Sequence, residues 1–120
     1  MDNRREPRVK LLYYLNVYNR QTRELLGQVL DITSQGVNLL CREHWQVGEV
    51  HSCVLEMPGD AYAKTSVNVE IECRWRKHDT TPGFFSSGFH FRKISLEHRG
   101  WVRKLMADYA RSPNLDFLLA

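Results

Sequence analysis

Apolar and polar positions alternate with a period of two through most of this chain and change to a helical period only near its end. The clearest stretch is Val67, Val69, Ile71, Cys73 and Trp75, interleaved with Asn68, Glu70, Glu72, Arg74 and Arg76. Successive side chains of a strand point to opposite faces, so this pattern predicts a strand with one buried and one wet face. On this reading Trp75 continues the buried face while the cations beside it meet water. Five further strands are expected: Lys10 to Tyr18, Leu25 to Ile32, Val37 to Cys41, about Val50 to Met57, and Phe84 to Phe91. Val37, Leu39 and Cys41 share one face, and Phe89 and Phe91 point inward. Asn19-Arg20-Gln21-Thr22 suits a hairpin loop. Thr33-Ser34-Gln35-Gly36 suits a turn in which Gly36 is free to take a positive φ. Pro58-Gly59 and the polar run from His78 to Gly83 mark two more breaks.

The helical signal follows. Ser95 is a good N-cap, and Glu97 stands in the first turn, where the helix dipole favours a carboxylate. Trp101, Val102, Leu105, Met106 and Tyr109 form an apolar stripe at helical spacing. This stripe is read as core contact. Gly100 interrupts the helix at a cost of about 1 kcal/mol relative to alanine, which is compatible with close approach to the sheet. Ser112-Pro113 ends the helix. The closing segment contains Leu115, Phe117, Leu118 and Leu119, an apolar end that needs a surface to dock on.

Six closely spaced strands and one helix predict an all-β-dominated fold, a small six-stranded antiparallel β-barrel with a C-terminal α-helix covering one open end. Closure removes the exposed sheet edges. The expected organisation is an arm over residues 1–9, the barrel and helix over 10–111 and an apolar tail over 112–120. At 120 residues a single domain is the natural expectation. No apolar run approaches the roughly 20 residues that span a bilayer. The polar N-terminus has no signal-peptide core, so the simplest location is the cytoplasm.

Cys41, Cys53 and Cys73 contain no C-x-x-C pair and are odd in number, which argues against a disulfide framework. A metal site assembled from Cys41, His44, His51 and Cys53 would match no familiar ligand spacing. Cys53 and Cys73 read better as small buried hydrophobes. The net charge of +3 is mild and does not call for long nucleic acid. Arg74-Trp75-Arg76-Lys77 does mix an aromatic with cations, as single-strand binders do. Neither a G-x-S-x-G elbow nor a phosphate-cradling G-x-x-x-x-G-K loop is present, and no set of nucleophile, base and orienting residue is legible. An enzyme is therefore not the expectation.

Two polar segments are not needed for a core. One is Arg4-Arg5-Glu6-Pro7-Arg8, which contains Arg4-x-x-x-Arg8. The other is Asp31-Ile32-Thr33-Ser34-Gln35-Gly36. An arginine fork donates two parallel hydrogen bonds to guanine O6 and N7 or to phosphate oxygens, and its flat face stacks on a purine. Asp31 can accept from the guanine N1 and N2 donors, an edge that adenine lacks. Thr33 and Ser34 offer hydroxyls, and Gly36 lets backbone approach a ligand. Taken singly, each segment is also an ordinary basic tail or turn. Taken together they suit a phosphorylated guanine ligand.

The ordered set resembles the PilZ domain family of bacterial cyclic di-GMP receptors, whose pattern is R-x-x-x-R followed by (D/N)-x-S-x-x-G. Arg4 and Arg8 match the arginines, with Arg5 an alternative register. Asp31 and Gly36 match the ends of the second motif. Gly88, in Ser86-Ser87-Gly88-Phe89-His90-Phe91, matches the glycine of a later strand. Thr33 stands where the family has serine; the hydroxyl survives, and the added methyl restricts it. The resemblance covers about residues 3–111. It implies a receptor without cofactor or catalysis. Arg4, Arg5 and Arg8 would wrap cyclic di-GMP while Asp31, Thr33, Ser34, Gly36 and Gly88 form the rest of the site. An arm mobile without ligand would become ordered and change the surface shown to a downstream protein partner. The chain would be a monomer or homodimer. The alternative is a PilZ-like protein-interaction module that does not bind nucleotide.

Overall fold

A computed structural model of the chain describes residues 15–57 and 66–109. The strands are β1 (Asn16–Asn19), β2 (Leu25–Thr33), β3 (Gly36–Cys41), β4 (Val50–Glu56), β5 (Ser66–His78) and β6 (Phe85–Lys93), followed by helix α1 (Leu96–Tyr109). They close into a barrel in the order β1-β2-β3-β6-β5-β4, with every neighbouring pair antiparallel. The expected six-stranded barrel with one C-terminal helix is therefore the architecture of the protein. The first part of the expected first strand, Lys10 to Tyr14, and the turn at Pro58-Gly59 lie outside the described residues.

Inward positions fill the barrel. Val17, Val29, Ile32, Val37, Leu39, Cys53, Leu55, Val67, Val69, Ile71, Cys73, Phe89 and Phe91 are all buried and belong to one cluster. Each large aliphatic side chain so buried contributes about 1.5–3 kcal/mol relative to exposure. Val102 and Leu105 of α1 join the same cluster, with Trp101 and Met106 packed at its margin. The helix thus packs on the barrel through Trp101, Val102, Leu105 and Met106 of the stripe expected of it, and the Tyr109 side chain lies outside what the structure describes. Its start is fixed as the sequence predicts: Ser95 Oγ accepts from the His98 backbone N–H at 3.0 Å. Two side chains tie it to the barrel. His98 Nδ1 accepts from the Asn68 backbone N–H at 3.1 Å, and Arg99 Nη1 donates to the Ser34 carbonyl.

Three expectations need correction. Gly100 makes no close approach to the sheet, since a Cβ placed there would meet nothing within 4 Å. Gly36 does not take a positive φ; in the described chain that region is occupied by Gly48, Gly83 and Arg23. Gly36 is required for a different reason: as the first residue of β3 it lies against β6, where a Cβ would collide with the Phe89 carbonyl oxygen. The third correction concerns Trp75. A register shift between Cys73 and Trp75 inserts an extra residue into β5. Cys73 still faces the core opposite Phe89, but Trp75 pairs with Gly88 and is 37% exposed. Such a bulge re-aims the side chains that follow it, and from Arg74 to His78 the strand has no buried face.

Candidate ligand-binding face

A second bulge, in β2 between Val29 and Asp31, works in the same way. Val29 and Ile32 are both core residues, so the extra residue between them turns Asp31 to the outside. Asp31 then pairs with Asn38 of β3, Asn38 with Gly88 of β6, and Gly88 with Trp75 of β5. Directly paired residues share a face of the sheet. Asp31, Asn38, Gly88 and Trp75 therefore form one transverse row on the outer surface, four strands wide. At about 4.8 Å per strand spacing it extends roughly 14 Å from Asp31 to Trp75. The row on one side is Thr33, Gly36, His90 and Glu72, and on the other Gln28, Leu40, Ser86 and Lys77.

The glycine at the centre of this face has a definite role. A Cβ on Gly88 would collide with three atoms of the Trp75 indole. The absent side chain lets the ring lie against the β6 backbone with part of its surface in solvent. Lys77 Nζ stands 5.7 Å from the ring centroid, within the range of a cation–π contact. The family-like motif residues at the other end are more enclosed. Thr33 is buried, and its Oγ1 accepts from the Gln35 backbone N–H at 3.0 Å, closing the β2–β3 turn. Ser34 is also buried, and its carbonyl accepts from Arg99. Neither hydroxyl is presented on an open surface, so their expected part in ligand binding is confined to what the turn geometry leaves accessible.

Arg4, Arg5 and Arg8 lie outside the described residues. Leu15, the first described residue, marks where that segment joins the barrel. Val29 N–H donates to the Leu15 carbonyl at 2.8 Å, so the described chain begins beside β2. The antiparallel register Tyr18↔Leu25 and Asn16↔Gln28 runs β1 backwards towards the Asp31 half of that strand. Arg8 precedes Leu15 by seven residues. That length of chain reaches at most roughly 24 Å, enough to span the whole row.

Trp75 is the residue of this outer face that sequence reasoning missed. Period-two alternation assigned it to the core, and the available signal was the cationic run around it. The other candidate chemistry is dispersed. His51 Nε2 pairs with Glu49 Oε2 at 2.6 Å, and its ring meets Trp45 edge-on at 4.5 Å. His44 is hydrogen-bonded with Arg76 and stacks obliquely on Phe85. All three thiols are buried. Burial pushes Cys41 up to about 11 and Cys53 up to about 12 and also raises Cys73, which makes them poor nucleophiles and poor metal ligands at neutral pH. Among the described residues no group of three or more His, Cys, Asp or Glu could hold a metal ion, and no helix is long and apolar enough to cross a membrane.

A closed six-stranded antiparallel barrel of this strand order, with one C-terminal helix packed on it and an Asp-x-Thr-x-x-Gly turn, defines the class of the fold. Residues 2–108 match the PilZ domain family, and the chain belongs to it. PilZ domains are non-catalytic, and the family is typically one of cyclic di-GMP receptors. Three solved structures share the fold. The Bacillus subtilis inhibitor of motility MotI/DgrA superposes with a TM-score of 0.70 at 13% identity, over 87% of this chain and 50% of that one. MrkH of K. pneumoniae in its apo state gives 0.70 at 15% identity, over 91% and 53%. The PilZ domain of YcgR from Escherichia coli, solved with cyclic di-GMP, gives 0.64 at 14% identity, over 90% and 92%. The chain thus spans about half the length of the first two. No curated protein sequence matches it.

Proposed function

We propose that this chain is a cytoplasmic cyclic di-GMP receptor whose N-terminal arm, residues 1–9, closes over the Asp31–Trp75 row when the ligand binds. The barrel and helix, residues 10–111, form the body of the receptor, and the apolar segment 112–120 docks either on this body or on a partner. The observation that carries the reading is the row itself. Two bulges, one in β2 and one in β5, bring Asp31, Gly88 and the Trp75 indole to one outer face, beside the point where the arginine-bearing segment is tethered. The carboxylate suits the N1–H and N2–H donors of guanine, the indole offers a stacking surface, and the arginines supply charge for the phosphates. The solved complex of the YcgR domain with cyclic di-GMP supports the ligand assignment.

Arg4, Arg5 and Arg8 act as the clamp, with Asp31 as the guanine reader. Gly36 and Gly88 are the positions where backbone must come close, and Thr33 and Ser34 shape the turn. Ordering the arm costs about 1–2 kcal/mol per residue in backbone entropy. Charge-assisted hydrogen bonds of about 1.5–3 kcal/mol each offset that cost. The ordered arm then alters the surface offered to a downstream protein.

Calorimetric titration with cyclic di-GMP, against GTP and cyclic di-AMP, tests the reading. The wild-type chain is expected to bind the guanine dinucleotide selectively, and Arg8→Ala is expected to lose most of that binding. Equal heats for both chains would refute the clamp. The second reading, an interaction module without nucleotide binding, draws on the engagement of the Thr33 hydroxyl within its own turn. A flat wild-type titration would favour it.

A further inference from the structure

Asn38 occupies the centre of the row, between Asp31 and Gly88. Its chain neighbours Val37 and Leu39 are core residues, so its own side chain is on the outer face. Yet it is only 9% exposed, and its side-chain oxygen is enclosed without any hydrogen-bond partner. An enclosed acceptor without a donor is unfavourable, and native folds keep few of them. Among the described residues two other enclosed side-chain atoms share this condition, Trp45 Nε1 and Ser87 Oγ. Trp45 belongs to the core cluster, and Ser87 pairs with the core residue Leu39. Asn38 is the one that stands in the candidate site.

On the receptor reading, we propose that Asn38 is a specificity-determining residue for a guanine base. Directly paired residues in a sheet are about 5 Å apart, so an Asn38 amide turned out of its enclosure would set its oxygen beside the Asp31 carboxylate. Guanine offers N1–H and N2–H2 donors along one edge, enough for both. Adenine offers an N1 acceptor at the corresponding place, which would meet an acceptor without a proton between them. Asn38 therefore accepts from the guanine edge that Asp31 also reads, while the Trp75 indole lies two strands beyond Asn38 on the same face. The same enclosure that leaves the oxygen unpartnered in the free protein makes its contact discriminating once the base is bound.

The test measures binding of cyclic di-GMP, the mixed cyclic GMP-AMP dinucleotide and cyclic di-AMP to the wild-type chain, Asn38→Ala and the near-isosteric Asn38→Leu, with thermal midpoints of each chain in the free state. Loss of at least tenfold in cyclic di-GMP affinity, with a smaller guanine-over-adenine ratio, is expected. The free variants should be no less stable than wild type, because an unpartnered acceptor has been removed. Wild-type affinity and selectivity in either folded variant would overturn the assignment. So would a free-state midpoint lowered in both variants, which would show that Asn38 serves the fold. A wild-type chain that binds none of the dinucleotides would instead defeat the receptor reading, and Asn38's role would fall with it.

Discussion

The Trp75 indole occupies the space that Gly88 leaves by having no side chain. The two residues pair directly across β5 and β6, just past the bulge that turns the tryptophan outward. Glycine is unfavourable within a strand, where it adds flexibility and packs nothing. Here the aromatic ring fills the space and replaces the missing contacts. The ring is held against backbone on one side, while Trp75 stays 37% exposed with Lys77 Nζ 5.7 Å from the ring centroid, so a planar ligand would stack there by displacing the lysine.

The pair should behave as a unit. Gly88→Ala in the wild-type chain is expected to cost about 1–3 kcal/mol of stability, the usual range for overpacking. In a Trp75→Ala background the same substitution should cost almost nothing, because the clashing atoms are gone. A double-mutant cycle by urea denaturation measures the coupling. Additive effects would show that the ring moves aside freely.

Stability should also depend on pH through the loop before β4. Glu49 Oε2 is 2.6 Å from His51 Nε2, and Glu49 Oε1 accepts from the Gln46 backbone N–H at 3.2 Å. The contact with His51 holds the Glu49 carboxyl below its ordinary value. Asp79 is lowered as well, chiefly by the Thr81 backbone N–H and then by the Ser86 hydroxyl. A carboxyl whose folded value lies below its unfolded one contributes fully above the unfolded value and loses that contribution as pH falls through the folded one. The loss therefore belongs at and below about pH 4, the ordinary glutamate range. Denaturation midpoints from about pH 6 down to about pH 3 should fall less steeply for Glu49→Gln than for wild type. Parallel curves for the two chains would count against the pairing.

The helix carries a residue that could be improved. Gly100 is exposed and nothing lies within 4 Å of where its Cβ would stand. Gly100→Ala should raise stability by up to about 1 kcal/mol through backbone entropy alone. Chemical denaturation with an unchanged m-value would confirm it, and a destabilised variant would reveal a contact of the glycine that the fold does not show.

Much of this architecture was legible in one chain. Alternation in Val67, Val69, Ile71 and Cys73 marked a half-buried strand, and the spacing of Val102 and Leu105 marked the helical face that joins the core. Ser95 announced the helix start, and its hydroxyl does cap it. These features are local: each depends on the periodicity of a single element or on a side chain bonding within three residues. The β2–β3 turn was equally visible because it is a contiguous motif.

What the row contains was decided only in three dimensions. A bulge is a property of two strands whose ladders must fit a closed barrel, and alternation within one strand carries no mark of where the extra residue falls. Continued period two would have kept Trp75 inside; the bulge after Cys73 sends it out against Gly88. The same cause places Asp31 outward although Val29, two residues earlier, faces in. Asn38 gave no sign in the sequence at all, since its meaning comes from the strands on either side. The chain's own pattern determined how many strands and helices form and which residues can make a core. Barrel closure, by setting register across neighbouring strands, determined which polar and aromatic groups meet on the outer face.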